Sequence, residues 1–227
     1  MPVFQLTDKL IFPPAELAEE NGLLAIGGDL SSKRLLLAYR NGIFPWYSEG
    51  EPILWWSPSP RLVIFPAELK IPRRLARLIR QGLFSITMDM AFKQVITACA
   101  YTDNRLEKGT WITDDMIVAY CLLYDMGYAH SVECWLDGKL AGGLYGISLG
   151  SVFFGESMFS EQPNSSKVAL VYLIKKLQEW SFELIDCQMK TEHLMQFGAR
   201  EIPENEFQKL LTKNIASPDQ KGKWRST

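Results

Sequence analysis

Residues 130–156, HSVECWLDGKLAGGLYGISLGSVFFGE, restrict the possible folds more than any other stretch of the chain. Asp137-Gly138 stands between two alternating apolar runs. A two-residue Asp-Gly turn has the positive φ angles that match the twist of antiparallel strands. With a second turn at Leu149-Gly150, the segment reads as three consecutive antiparallel strands. On the N-terminal side, LFSITMD alternates as a strand and AFKQVITACAY reads as a short helix. TDDMIVAYCLLYDMG has a Thr113 cap, early carboxylates and a closing Gly127. On the C-terminal side, NSSKVALVYLIKKLQEWS predicts a long helix starting near residues 164–166, with Val168, Leu173 and Leu177 among its apolar positions. ELIDCQMK, TEHLMQFG and AREIP then read as strand, short helix and strand. The order β-α-α-β-β-β-α-β-α-β predicts an α+β fold with a mixed, mainly antiparallel sheet and helices on both faces.

Residues 1–60 have a different texture. PPAELAEENG and SSKRLLLAYRNG each open on a cap or Pro and stop at Gly, which predicts two short helices. The following IFPWYSEGEPILWWSPSPR is too rich in Pro and Gly for regular structure and carries three of the seven tryptophans. A Pro-rich connector before LVIFP marks a boundary between a small N-terminal domain (1–60) and a larger one (61–227).

Composition narrows the functional classes. With 227 residues, 47% of them hydrophobic, the chain can bury one sizeable core. Its net charge of −2 gives no global positive field, so a polyanion must find a local patch. One candidate is PRRLARLIRQG, where Arg73, Arg77 and Arg80 share a helix face opposite Leu75, Leu78 and Ile79. Another is the tail KGKWRST; a solvated face and a frayed terminus are the plainer readings of the two. Cys99, Cys121, Cys134 and Cys187 have no C-x-x-C spacing, and His130 and His193 are too few for a zinc cluster. Neither a disulfide framework nor a metal is indicated. No leader pattern opens the chain and no run reaches the roughly 18 apolar residues of a membrane span, so a soluble cytoplasmic protein is expected.

The strand ELIDCQMK poses a chemical question. Alternation puts Ile185, Cys187 and Met189 on one face and Asp186 with Gln188 on the other, side by side. Two neighbouring polar groups on an otherwise apolar strand line a reaction site, or are satisfied by nearby backbone; the residues alone leave both open. The glycines Gly142, Gly143 and Gly146 lie within a hairpin strand and open no helix. They mark a bulge or a close backbone approach rather than a phosphate loop.

The element order resembles the GNAT superfamily, whose members move an acyl group onto an amine. In that superfamily a glycine-rich turn at a helix N-terminus holds the pyrophosphate of coenzyme A. Here the corresponding GESMFSEQPNSSK lacks those glycines and carries Glu156, Glu161 and Pro163, so coenzyme A is disfavoured and no cofactor is expected. The blocks NGLLAIGGDLSSKRLLLAYRNGIFPW, ILWWSPSPR, GTWIT, HSVECW, GGLYG, FFGESMFS and DCQMKTEHLMQFGAREIP resemble, in order, the signature blocks of bacterial leucyl/phenylalanyl-tRNA-protein transferases.

That resemblance implies transfer of Leu or Phe, and more weakly Met, from aminoacyl-tRNA to the N-terminal Arg or Lys of a protein, which marks it for degradation. It implies Asp186 and Gln188 as a catalytic pair, with Asp186 holding the Gln188 amide. Glu156 and Tyr120 would meet the acceptor, and Trp46 and Trp111 would stack on the terminal adenosine. An apolar pocket of Leu144, Phe153, Met158, Leu170, Leu177 and Ile185 would take the aminoacyl side chain. Trp55 and Trp56 are read as glue between the domains. Thr191, where relatives also carry Asn, and Leu144, where some carry Met, leave the preference among donors open. The implied partners are aminoacyl-tRNA and the acceptor protein, with no membrane or metal, and a monomer is expected. A coenzyme A-dependent acyltransferase and a noncatalytic RNA-binding module are the alternatives.

Overall fold

A computed structural model describes residues 3–101 and 110–225. The small N-terminal sheet contains β1 (Phe4–Leu6), β2 (Leu23–Gly27), β3 (Phe44–Pro45) and β4 (Leu54–Trp56), with helix α1 (Ser32–Arg40) between β2 and β3. The remaining elements are β5 (Arg61–Ile64), α2 (Arg73–Arg80), β6 (Ser85–Met88), α3 (Phe92–Tyr101), α4 (Asp114–Asp125), β7 (Ala129–Leu136), β8 (Lys139–Leu149) and β9 (Val152–Ser160). They continue as α5 (Ser165–Glu179), β10 (Leu184–Asp186), α6 (Glu192–Met195), β11 (Arg200–Ile202) and α7 (Glu204–Ile215).

The meander forms as its turns dictate. Asp137 and Gly138 both take positive φ, 50° and 73°, and join β7 to β8. The second turn falls one residue later than expected: Leu149 pairs with Val152 around Gly150 and Ser151, with Gly150 at φ 56°. Thr113 caps α4 by accepting the Met116 N–H. The seven-stranded sheet runs β11-β5-β10-β9-β8-β7-β6, and only the β9–β10 pair is parallel. The larger part is thus the expected mixed, mainly antiparallel sheet with helices on both faces. Its two faces belong to two apolar clusters. One joins α1, α3, α4 and the small sheet through Tyr39, Phe92, Tyr120 and Trp55; the other joins α2 and α5 through Leu75, Leu170, Leu173 and Leu177.

The N-terminal part departs from expectation. PPAELAEENG forms only one 3-10 turn, Ala15–Leu17, while the connector expected to be irregular holds β3 and β4. These strands are two and three residues long, too short to show alternation. Tertiary bonds define them: Trp55 Nε1 donates to Gly27 O at 2.8 Å and Trp56 Nε1 to Trp46 O at 2.7 Å. Pro45 is tolerated because β3 is an edge strand. Helix α7 is a further element beyond the expected order, although Phe207 and Leu211, four apart and buried, share its inner face.

Candidate active site

A cleft opens where the sheet comes apart. Strands β9 and β10 pair from Leu184↔Val152 to Asp186↔Phe154; β9 then continues to Ser160 while the segment after Asp186 parts from β9 and stays bonded to β5. On the opposite side of β9, Tyr145 pairs with Ser157 and Gly146 with Gly155, so Glu156 is the extra residue of a bulge. A bulge re-aims the side chain it carries. Two recesses meet here. The first is lined by Leu144, Phe153, Met158, Leu170, Leu173, Ile185 and Leu194, the second by Phe44, Pro45, Trp46, Trp111 and Met189. Glu156, Cys187, Gln188 and Thr191 line both.

Gln188 is held by its main chain. Its φ is 56°, its N–H donates to Asp186 Oδ1 at 2.9 Å, and its carbonyl accepts from Leu62 N at 3.2 Å. Period-two alternation ends with the strand at Asp186, so the expected side-by-side placement of the two side chains does not arise. Asp186 is fully buried and lines neither recess. It holds the Gln188 backbone rather than the expected carboxamide, and both its oxygens bind Arg61: Nε to Oδ1 and Nη2 to Oδ2, each at 2.8 Å. The Arg61 guanidinium in turn lies between the rings of Phe44 and Phe207, 5.0 and 4.6 Å from their centroids. Cys187 lines both recesses instead of a sealed apolar face. Burial, then the nearby Asp186, pushes its thiol well above the ordinary range, so it is a poor nucleophile.

Glu156 sits on a floor of phenols. Tyr39 Oη donates to Oε1 at 2.8 Å and Tyr120 Oη to Oε2 at 3.1 Å; the two phenol oxygens also touch, and because each phenol has one proton, a bond between them forms only when one of them releases Glu156 or Glu156 carries a proton of its own. Burial pushes the Glu156 carboxyl up to about 7, against the lowering effect of the two phenols; Asp186 raises it further and Arg61 lowers it. Tyr120 is fully buried beneath Glu156 and lines neither recess, so it supports the carboxylate rather than facing an acceptor directly. Tyr39 is a site residue that the sequence does not reveal. It lies 117 residues from Glu156, on a helix whose pattern gives no sign of the contact.

Leu144, Phe153, Met158, Leu170 and Ile185 do converge on the apolar recess, but Leu177 does not: it is fully buried in the core beyond. Leu173, one turn earlier on α5, takes its place, and His193 and Leu194 complete the wall. The His193 pKa is lowered, mainly by burial and then by Lys167. Gly146 gives the Phe153 ring its room, since a Cβ there would lie 2.5 Å from the ring tip. Trp46 and Trp111 are half-buried on the second recess, and Trp56 packs on Trp46 at 5.6 Å. Trp55 is buried within the small sheet's packing. Arg73, Arg77 and Arg80 lie on α2, with Leu75 buried beneath. Gly109 of GTWIT and the last two residues of the tail lie outside the described residues. Among the described residues there is no cluster of three or more His, Cys, Asp or Glu fit for a metal, and no helix is long and apolar enough to cross a membrane.

The family model "Leucyl/phenylalanyl-tRNA protein transferase" matches residues 63–212, and that of its N-terminal domain matches 28–59. The curated leucyl/phenylalanyl-tRNA–protein transferase of Syntrophobacter fumaroxidans is 59% identical over 215 residues, covering 95% of this chain and 92% of that protein. That of Desulforapulum autotrophicum is 54% identical over 224 residues, covering 99% and 98%. Among solved structures, a GCN5-related N-acetyltransferase from Kribbella flavida aligns with a TM-score of 0.38 at 10% identity, covering 73% of this chain and 59% of that one. With family models matching residues 28–59 and 63–212 and relatives above 50% identity along nearly the whole length, the chain belongs to the leucyl/phenylalanyl-tRNA protein transferase family.

Proposed function

We propose that this protein transfers leucine or phenylalanine, and methionine more weakly, from aminoacyl-tRNA to the N-terminal Arg or Lys of an acceptor protein. The new peptide bond then marks the acceptor for degradation in the cytoplasm. One observation carries the reading: a carboxamide and a carboxylate, Gln188 and Glu156, are shared by an apolar recess and a tryptophan-walled one.

The donor side chain occupies the apolar recess among Leu144, Phe153, Met158, Leu170, Leu173 and Ile185. The terminal adenosine stacks on Trp46 and Trp111, a contact worth about 1–3 kcal/mol per base. The acceptor's guanidinium or ammonium pairs with Glu156. The donor ester is already activated, and an α-amine with pKa about 7.7–8.0 is partly neutral at pH 7, so alignment is the main requirement. Gln188 Oε1 accepts a hydrogen bond from the attacking amine and turns its lone pair toward the ester carbonyl. The C–N bond forms, the bond to the ribose oxygen breaks, and the proton lost by nitrogen ends on that oxygen. Asp186 is a positioning residue that acts through the Gln188 main chain, and the small and large parts of the chain, 1–60 and 61–227, work as a unit around the cleft.

The test combines labelled Leu-tRNA with a peptide beginning in Arg. Labelled peptide that disappears after ribonuclease treatment supports the reading; labelling that survives it, or never appears, overturns it.

The pH profile tests the role of Glu156. As pH falls through about 7, Glu156 takes up a proton and loses the charge that attracts the acceptor, while the acceptor amine also becomes protonated. The kcat/KM for the acceptor should therefore rise with pH through two ionisations, with a log slope approaching about 2 on the acid side. Glu156→Gln should remove the lower ionisation and cost about 10- to 150-fold in acceptor kcat/KM at pH 8, the range for a hydrogen bond to a charged group. An unchanged profile would rule out the assignment.

We assign the exposed arginines of α2 to the tRNA. Charge reversal at Arg73, Arg77 and Arg80 should raise the donor KM and flatten its salt dependence, by about 0.9 in log–log slope for each phosphate left without a cation. Steady-state kinetics at several salt concentrations would show both changes, and neither should appear if this face is only solvated.

A further inference from the structure

We infer that Trp224 is a specificity-determining positioning residue for the donor side chain, acting from outside the recess through the ring of Phe153. This rests on the reading of the apolar recess as the seat of that side chain.

The segment after α7 returns across the body of the protein. The Asp219 carboxylate accepts the Gly150 N–H at 2.8 Å and pairs with Arg40 at 3.2 Å. Lys221 lies over the Tyr128 ring at 4.6 Å and Lys223 over Tyr124 at 5.6 Å. At its end Trp224 is buried, although most of the residues around it in sequence are exposed. Its main-chain N–H donates to Asp89 Oδ2 at 2.7 Å, and that carboxylate is itself fixed by His130 Nδ1 and by the Ser131 N–H, each at 2.8 Å. The indole stacks flat on His130, with centroids 3.7 Å apart and planes 4° from parallel; the edges of Trp180 and Phe182 close two further sides. So many fixed partners leave the indole one placement.

A further aromatic neighbour is Phe153, whose ring centroid is 5.9 Å away. Phe153 is a wall of the recess, and behind its ring tip lies the Gly146 backbone, where even a Cβ would collide. Phe153 is thus wedged between a strand that has given up its side chain and an indole that cannot move. Close packing transmits such a constraint into the recess. Without the indole, Phe153 can settle back into the vacated space, and the recess deepens. A deeper apolar recess favours the longer, planar Phe side chain over Leu.

The experiment measures kcat/KM for Leu-tRNA and Phe-tRNA on the parent, Trp224→Ala and Trp224→Phe. The ratio of the two donors on one preparation is independent of how much protein is folded, so a merely structural role leaves it unmoved. We expect the Phe:Leu ratio to rise about threefold or more in Trp224→Ala, since one methylene of fit is worth about 10-fold or more, and to rise less in Trp224→Phe. Trp224→Phe keeps an aromatic ring on His130 and tests the same shift if the alanine variant does not fold. Ratios equal to the parent's in the folded variants overturn the inference. Failure of the parent to use either donor defeats the underlying functional reading instead.

Discussion

Asp186→Ala should destabilise the protein by about 3–5 kcal/mol, the usual result of removing one partner from a buried ion pair. In a chain of this length each kcal/mol lowers Tm by about 2–4 °C, so a fall of roughly 6–20 °C is expected in thermal melts. Arg61 and Asp186 are both essentially inaccessible to solvent, and without the carboxylate the guanidinium keeps its charge with the faces of Phe44 and Phe207 beside it. Those rings come from the small sheet and from α7, while the pair itself bridges β5 and β10, so the loss loosens four elements at once. Replacing both partners with apolar residues, Arg61→Met with Asp186→Leu, should recover much of the stability. It should not recover activity, because the Gln188 N–H loses its acceptor and the turn that aims the carboxamide is no longer held. A single variant that melts with the parent would show that the pair carries little.

Gln188→Ala should behave in the opposite way, with an intact fold and a large loss of turnover. The bonds that pin residue 188 are main-chain bonds, and alanine keeps them. The side chain is half-buried at the edge of both recesses, so its removal leaves no sealed cavity. A group that orients or relieves a reacting amine is worth about 10²–10⁴ in rate. Gln188→Asn keeps the chemistry on a shorter arm and should recover little, since the main chain cannot shift to compensate. Melting curves that overlay the parent's, alongside kcat reduced by at least about 10², are the expected pair of observations.

The large sheet is legible in the sequence because its signals are local. The Asp137-Gly138 turn, the Thr113 cap and the helical periodicity of residues 165–179 each depend on a few adjacent residues. The small sheet is not, since strands of two to five residues exist only through their partners. Much of the site's architecture is of that second kind. Arg61 meets Asp186 across 125 positions and Tyr39 meets Glu156 across 117, with no periodicity linking either pair. The bulge at Glu156 and the left-handed turn at Gln188 break the alternation from which side-chain direction is read. Leu177 departs from its expected place for a related reason: it shares a face of α5 with Leu173 but lies one turn farther along, past the end of the recess. The motifs point to the candidate residues through a family resemblance, and only the fold supplies their geometry.

The central claim is a division of labour at the junction of the two recesses, with Gln188 acting on the reacting amine and Glu156 on the acceptor's side chain. Single-turnover transfer from preloaded Leu-tRNA, followed against acceptor peptide concentration, separates the two. Gln188→Ala should lower the maximal rate with little change in half-saturation, and Glu156→Gln should raise half-saturation while sparing more of the maximal rate. A Gln188→Ala protein that reaches the parent's maximal rate would contradict the account.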